Sequence, residues 1–252
     1  MQKKPRKKVA AKPSVAQTQS DEDFLQAVEQ AKLAAMKELA YGASHEINNP
    51  LANISTRAQT LLKQEKDPEK RRMLASIHAQ AMRAHEMIAD LMLFARPPKL
   101  NLAPVDLGEL LNRVVGEMQP LATAQRTELK LSIGSLKEPA IQADATQLAV
   151  ALRALIQNSL EAMGAEGEIE VTLVDQEHEA TITVGDTGPG IPVEVLRHIF
   201  EPFYSGRESG RGLGFGLAKC WRILTDHGGR IQVASSAAGS ARFEVRLPHS
   251  QG

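Results

Sequence analysis

Residues 40–61 read AYGASHEINNPLANISTRAQTL, and this stretch decides the first part of the fold. Its apolar and small residues alternate in steps of four and three, which is the spacing of a helical-bundle seam. The seam consists of Ala40, Ser44, Ile47, Leu51, Ile54, Ala58 and Leu61. The stretch therefore predicts a long helix that packs against other helices, with a local kink at Pro50.

A second helix is predicted from Pro68 to about Ala95. Asp67 followed by proline is a helix-start signal, and Pro97-Pro98 ends the helix. Two long helices joined by a short turn form an antiparallel hairpin, which cannot enclose its own apolar face. We therefore expect a homodimer through residues 22–96, in which two hairpins form a four-helix bundle.

The pattern changes after Pro104. Helical periodicity alternates with short strand-like runs, which favours an α/β sandwich with antiparallel strand pairs. The predicted helices cover residues 107–115, 147–163 and 217–226, and the predicted strands cover 129–133, 169–174, 181–184, 231–235 and 242–247. The predicted domains are a disordered basic tail over 1–20, the helical hairpin over 21–98 and the α/β domain over 104–249.

Composition narrows the function classes. The chain has 252 residues, a formal net charge of zero and a single cysteine, Cys220. Zero net charge gives no general attraction to nucleic acid or membranes, and no apolar run approaches the roughly 18 residues of a membrane span. The absence of a signal-like apolar segment and of a cysteine pair favours the cytoplasm. The lysines and arginines of the tail fit a solvated segment better than a nucleic-acid contact.

His45 is the first candidate functional residue, because a helical step of about 100° from Ser44 puts it on the shoulder of the seam. A neutral imidazole is a nucleophile near pH 7. Glu46 follows directly and is placed to accept the proton of the opposite ring nitrogen. Asn49 lies one turn away on the same face and is placed to position a water.

Asn158 is the second candidate, because it interrupts an otherwise apolar helix. A buried amide needs a partner, and either Mg²⁺ or a structural hydrogen bond would supply one. One turn earlier the chain has Ala154. An ATP-hydrolysing site would use a carboxylate near that position to activate water, so its absence favours transfer to an acceptor.

Two glycine-rich loops follow. Asp186 comes at the end of a predicted strand, where a carboxylate can accept a hydrogen bond from an exocyclic amine such as that of adenine. Gly188 and Gly190 would let the backbone approach a flat ring, although D-T-G-P-G is equally good chemistry for a tight turn. The second loop precedes a predicted helix, whose free N–H groups favour phosphate. Its glycines are Gly210, Gly212, Gly214 and Gly216.

The segment from Phe203 to Gly210 contains serines and glycines and is predicted to be a mobile lid. Arg207 or Arg211 would reach the phosphates from there. The second loop is not a P-loop, because no G-K-[ST] follows it, and it is not a dinucleotide-binding fingerprint, because it comes late in the chain.

Together these segments resemble the sensor histidine kinases of two-component signalling, over about residues 22–249. Ser44–Leu51 resembles the family's H box, with His45 as phosphoacceptor, Glu46 as base and Asn49 as the phosphatase residue. Leu155–Ala162 resembles the N box, with Asn158 as the Mg²⁺ ligand. Asp186–Gly190 resembles the first glycine box, with Asp186 on adenine. Two further matches are the F box, Phe200–Phe203, and the second glycine box, Gly212–Leu217.

The resemblance implies a multidomain fold, in which a dimeric helical hairpin is followed by a Bergerat-type α/β sandwich that binds ATP and Mg²⁺. It implies autophosphorylation of His45 and transfer of the phosphoryl group to an aspartate of a response regulator. The chain departs from the family at Ala154, where asparagine is common, and at Arg207, where related lids often carry lysine. With about 20 residues before the hairpin, we expect either a separate sensor partner or a fragment that lacks its sensor.

Two other functions compete with this interpretation. A Mg²⁺-ATPase of the gyrase and heat-shock class would share the nucleotide-binding fold, but it would need an acid near position 154 and no His45 segment. A non-catalytic scaffold would keep the helical dimer and lose ATP binding. The presence of Asn158, Asp186 and both glycine loops argues against the scaffold.

Overall fold

The computed structural model describes residues 46–135, 140–176, 178–202, 204, 214–237 and 239–249. The predicted tail over 1–20 and the first half of the predicted hairpin helix, 21–45, lie outside the described residues. So do most of the predicted lid and the sites predicted at His45, Arg207, Gly212 and Arg211.

The N-terminal part of the described chain is a helical hairpin. Helix α1 covers residues 46–64 and continues through Pro50, and helix α2 spans Pro68–Ala95. As predicted, Asp67 caps α2, because its carboxylate accepts hydrogen bonds from the backbone N–H groups of Glu69 and Lys70 at 2.8 and 3.3 Å. These bonds satisfy donors that a helix leaves unpaired in its first turn.

The two helices are antiparallel, as two hydrogen-bonded pairs between them show. His85 bonds to the side chain of Asn48 at 2.9 Å, and His78 bonds to the Ser55 hydroxyl at 2.9 Å. In both pairs the residue numbers add up to 133, so one constant register describes the hairpin. The predicted antiparallel hairpin is confirmed.

One side of the hairpin leaves large apolar side chains in contact with solvent. The exposed stripe consists of Ile47, Ile54, Leu61, Met73 and Ile77, which are 44, 46, 54, 61 and 46% exposed. Small residues at two inward positions, Ala58 and Ala81, are buried between the helices. The hairpin therefore covers only part of its apolar surface within one chain, which is what its heptad-like spacing predicts.

The C-terminal part is an α/β domain built from seven strands and three helices among the described residues. They follow in chain order as β1 Ala103–Asp106, α3 Leu107–Ala124, β2 Thr127–Ile133, β3 Ala140–Ala143, α4 Ala145–Met163, β4 Gly167–Asp175, β5 Glu179–Asp186, α5 Gly216–Asp226, β6 Arg230–Ala237 and β7 Ser240–Pro248. The three predicted helices and five predicted strands are all present.

Five strands form one sheet in the order β2-β4-β5-β7-β6. Inward side chains alternate with outward ones, so that rows such as Val171, Val184 and Phe243 lie side by side in the core. Helices α3, α4 and α5 pack on this one face, and each fully buried aliphatic side chain contributes about 1.5–3 kcal/mol. The domain is thus a two-layer sandwich with a closed apolar core, as predicted.

Two features of the topology were not predicted: one strand pair is parallel, and two short strands are present besides the five predicted ones. Strands β2 and β4 are parallel, because β3 and α4 carry the chain back across the sheet between them. Strands β1 and β3 form a separate antiparallel pair that the sequence pattern did not indicate. Within the described residues, no helix combines the length and apolarity that crossing a membrane requires.

Candidate functional site

Asp186 is the last residue of β5 and lies under α4. Strand alternation turns it to the same side as Ile182 and Val184, so that only 6% of the residue is exposed. Its carboxylate accepts a hydrogen bond from the Ser159 hydroxyl at 2.8 Å and one from the Gly188 N–H at 3.0 Å. Each carboxylate oxygen has a further lone pair, so the group is held in place and can still accept a bond from a ligand.

The loop after Asp186 needs its glycines for different reasons. A Cβ on Gly188 would lie 2.8 Å from the Asp186 carboxylate and 3.1 Å from Cγ of Met163, so a side chain there would displace one of them. Gly190 has φ +79°, which favours glycine. The conformation of the loop around Asp186 therefore requires both residues.

The wall of this site includes three residues that the sequence analysis did not single out. Ser159 is fully buried and orients Asp186, and Met163 lies against Gly188. The Thr187 hydroxyl accepts a hydrogen bond from the Glu168 N–H at 3.0 Å, which closes the loop onto β4. A signal for Ser159 was present, because it is a hydroxyl at a core-facing position of an apolar helix, next to Asn158.

Asn158 lies on a different side of α4 from the one expected. The residue is only half-buried, whereas its neighbours Ser159 and Leu160 are fully buried. Ala154, one turn earlier, is also half-buried. The prediction that the Asn158 amide is buried is therefore wrong, because Asn158 lies on the accessible side of α4, where a ligand can meet it without entering the core.

The second glycine loop ends at the start of α5. Gly214 has φ +71°, and a Cβ there would collide with the backbone of Tyr204, so the chain closes tightly between these two residues. Gly216 is the first residue of α5, and the preceding Phe215 is 2% exposed and gives no side-chain cap. Among the described residues, no side chain at the N-cap position bonds the N–H groups of this first turn, an arrangement that suits an anion.

Helices α4 and α5 are tied together at the far end from Gly216. Nδ1 of His227 donates to the Ile223 carbonyl at 2.7 Å, and Nε2 accepts from the Asp144 N–H at 3.0 Å. Asp144 caps α4 through Thr146 and Gln147. A neutral imidazole satisfies both bonds, so His227 fixes the relative positions of the helices that carry Asn158 and Gly216.

On the hairpin, Glu46 and Asn49 are exposed, and both lie in the first turns of the described part of α1. The hydrogen bond from His85 fixes the side chain of Asn48 between them. The described residues contain no group of three or more histidine, cysteine, aspartate and glutamate side chains arranged to hold a metal ion. Any metal bound to this part of the chain would need ligands of other kinds, such as Asn158.

Comparison with known proteins assigns both parts of the chain. Residues 35–99 match the His Kinase A (phospho-acceptor) domain, and residues 143–251 match the Histidine kinase-, DNA gyrase B-, and HSP90-like ATPase family. The two matches occur in the order of the sequence motifs, with the His45 segment in the first and the other motifs in the second. The chain belongs to the sensor histidine kinase family.

Two curated members of the family illustrate the extent of the similarity. Sensor histidine kinase ZraS of Escherichia coli K12 is 34% identical over 86% of this chain and 46% of its own length. Sporulation kinase C of Bacillus subtilis is 31% identical over 87% of this chain and 50% of its own length. The chain therefore spans about half the length of the curated histidine kinases that it matches.

Solved structures agree with the fold. Full-length ShkA, solved in complex with AMPPNP, is 28% identical and aligns with a TM-score of 0.74 over 85% of this chain and 46% of its own. The ThkA kinase, solved in complex with the response regulator TrrA, is 24% identical and aligns with a TM-score of 0.65 over 88% of this chain and 64% of its own. The second likeness supports the fold alone.

Proposed function

We propose that this chain is an ATP-dependent protein-histidine kinase that phosphorylates His45. The observation that carries the proposal is the Asp186 carboxylate, which Ser159 and Gly188 orient and which keeps lone pairs for a ligand. At the other end of the site, the uncapped first turn of α5 is suited to phosphate. The domain over 104–249 supplies the nucleotide, and the hairpin over 21–98 supplies the acceptor.

The transfer is an in-line displacement at the γ-phosphorus. An imidazole nitrogen of His45 donates its lone pair, a nitrogen–phosphorus bond forms, and the bond to the β-phosphate oxygen breaks to release ADP. Glu46 takes the proton from the other ring nitrogen, and its exposure on α1 gives it access to the reacting face. The protein contributes chiefly position and charge neutralisation.

Adenine recognition falls to Asp186, which accepts a hydrogen bond from the exocyclic amine while Ser159 and Gly188 hold the carboxylate. Gly188 lets the loop lie close against Asp186 and Met163, and Gly190 supplies the positive φ of the same loop. Gly212, Gly214 and Gly216 would bind the phosphates, and Arg207 would add a positive charge from the lid. The Asp186 end of the site therefore selects adenine, and the N-terminal end of α5 binds the negatively charged phosphates.

Mg²⁺ fits the donors that are present. The Asn158 amide oxygen is a hard ligand on the accessible side of α4, and Mg²⁺ in kinase sites takes few protein ligands beside phosphate oxygens and water. Asn158 would therefore hold the ion, which would neutralise charge on the β- and γ-phosphates. Gln157 and Glu161, bonded to each other at 2.8 Å, line the same helix beside it.

For the next step, we propose transfer of the phosphoryl group to an aspartate of a response regulator. The ThkA structure was solved with such a partner, TrrA, and the exposed first turns of α1 leave room for one here. Exposed Asn49, one turn from His45, would position water for the reverse task of dephosphorylating the regulator. The exposed apolar stripe of the hairpin would be covered by a second copy, which makes the working unit a homodimer.

Asp186→Asn tests the nucleotide site. Asparagine keeps one acceptor oxygen but loses the charge and turns an NH2 donor toward Ser159, Gly188 or adenine, so we expect a loss of about 1.5–3 kcal/mol and at least tenfold weaker binding. Calorimetric titration with ADP and Mg²⁺ measures this. Asp226→Asn is the matched control, because Asp226 pairs with Arg222 on the flank of α5. Equal affinities for wild type and Asp186→Asn would contradict the proposal.

A further inference from the structure

The ATP-binding domain is in contact with its own hairpin through an ion pair. The amino group of Lys219, in the first turn of α5, bonds to the carboxylate of Asp90 on α2, 129 residues away in the chain. The Lys219 side chain is 15% exposed and that of Asp90 is 34% exposed. Leu93, one turn after Asp90, packs against the core of the ATP-binding domain. These residues form a contact that we call the α2–α5 dock.

The position of Lys219 is unusual for a structural residue. A cation in the first turn of a helix opposes the helix dipole, whereas an anion there is favourable. Asp90 supplies that anion from the other domain. The charge arrangement therefore favours the docked position of the domain and leaves Lys219 with an unfavourable environment when the domain moves away.

Packing at the dock is loose. A cleft of about 490 Å³ opens beside the ion pair, between Asp90 and Leu93 of α2 and Arg153, Ala154, Gln157 and Lys219 of the ATP-binding domain. Ala154 and Gln157 belong to the helix that carries Asn158, so the cleft borders the nucleotide site. Contacts of this kind between domains normally permit relative motion, so the ion pair and Leu93 hold one of the positions that the domain can take.

The dock faces away from the phosphoacceptor helix. With about 100° per residue, Asp90 lies roughly 140° around α2 from His85, whose side chain points to α1. It also lies roughly 140° from Ile77 of the exposed stripe, so docking leaves the dimer face open. Along the hairpin axis, the dock lies within about one turn of the height of Glu46. The hairpin register places Glu46 opposite position 87 of α2, which is three residues before Asp90.

We infer that the Asp90–Lys219 ion pair is a latch that holds the ATP-binding domain in a rest position on its own α2 helix. This inference rests on the proposed kinase function. In-line transfer requires the phosphate-holding end of α5 to turn toward α1, whereas the latch fastens that end to the opposite flank of α2. Breaking the latch releases the domain and raises the rate at which His45 is phosphorylated, while the affinity for ATP stays the same.

Charge reversal tests the latch. Asp90→Lys and Lys219→Asp should each raise the initial rate of autophosphorylation about fivefold or more, as expected for a typical coupling between sites, with the KM for ATP unchanged. The double variant restores the pair with reversed sign and should return the rate toward that of the wild type. Glu86→Lys, an exposed residue one turn from Asp90, is the matched control and should leave the rate unchanged.

Three kinetic outcomes would overturn the inference: unchanged rates, reduced rates, or no rescue in the double variant. An increased KM for ATP in Lys219→Asp would instead make Lys219 a phosphate-binding residue. The rates and the KM for ATP are measured on the whole 252-residue chain in every variant.

Chemical cross-linking separates the latch from the kinase proposal. A carbodiimide joins a carboxylate to an amine in direct contact, with loss of water, and mass spectrometry should find an Asp90–Lys219 amide in the wild type and none in Asp90→Asn. Absence of the cross-link would disprove the dock, whatever the activity. A cross-link in a chain that never labels itself with ATP would confirm the dock and remove the kinase proposal on which the latch rests.

Discussion

The helical hairpin and the ATP-binding domain differ in how far they bury their large apolar side chains within one chain. The ATP-binding domain buries its large aliphatic side chains between three helices and one sheet face, and residues such as Leu155 and Ile182 have no exposed area. The hairpin buries small residues inside and leaves Ile54, Leu61 and Met73 about half-exposed. The domain closes its core within one copy, whereas the hairpin leaves apolar area that a second copy would cover in the proposed homodimer. Under the proposed function, one chain thus combines a self-sufficient catalytic part with an acceptor part that needs assembly.

The largest effect is expected from a charge placed in the exposed stripe of the hairpin. Ile54→Glu should raise the dissociation constant of the dimer roughly 1000-fold, because a two-fold interface loses a contact worth about 2 kcal/mol twice. Sedimentation velocity measures this. Val193→Glu is the control, since Val193 is 73% exposed but belongs to the ATP-binding domain and should leave the dimer intact. A dimer that survives Ile54→Glu would refute the stripe as the interface.

A smaller effect is expected inside the self-sufficient domain at Asp144. Burial opposes ionisation of this carboxyl, but backbone N–H donors of Asn101, Gln147 and Thr146 outweigh it and hold the pKa of Asp144 below its ordinary value. Asp144→Ala should lower the free energy of unfolding by about 1–2 kcal/mol at pH 7, the usual effect of losing an N-cap. Chemical denaturation should show the loss in the transition of the ATP-binding domain.

The pH dependence follows from the direction of that pKa shift. A carboxyl whose pKa is lowered by folding stabilises the protein above its unfolded pKa, and the contribution disappears as the pH falls through the folded value. The difference between wild type and Asp144→Ala should therefore be largest near neutrality and shrink under acid conditions. A difference that grows toward low pH would contradict this account of Asp144.

The smallest effect tests how finely the nucleotide site is positioned. Ser159→Ala removes the hydroxyl that holds Asp186 at 2.8 Å, and we expect about 1 kcal/mol, or fivefold, weaker ADP binding. Ser132→Ala, on an exposed position of β2, is the matched control. If both variants bind ADP like the wild type, the Ser159 bond does not orient Asp186 for the ligand.

Local signals in the sequence were enough to predict most of the fold. Asp67-Pro68 marks the start of α2, and the apolar spacing within α4 and α5 predicts those helices, because capping and periodicity are properties of neighbouring residues. Strands β1 and β3 were missed because each has only 4 residues and finds its partner across the whole of α3 and β2. The parallel pairing of β2 with β4 also depends on distant residues.

The site was predictable to a similar extent. Asp186 at a strand end and Gly216 at a helix start follow from the local pattern and were confirmed in those positions. The side of α4 on which Asn158 lies depends on how the helix is rotated over the sheet, which its apolar residues define only roughly. The Asp90–Lys219 pair joins two domains, so no pattern along the chain could indicate it.

The central claim is that the self-sufficient domain phosphorylates a histidine of the assembly-dependent hairpin, and incubation with γ-labelled ATP tests it most directly. We predict that the wild-type chain takes up label that is lost in acid and retained in base, and that His45→Gln takes up none. His85→Gln, a second histidine of the same hairpin, should be labelled like the wild type. Label that persists on His45→Gln would contradict the account.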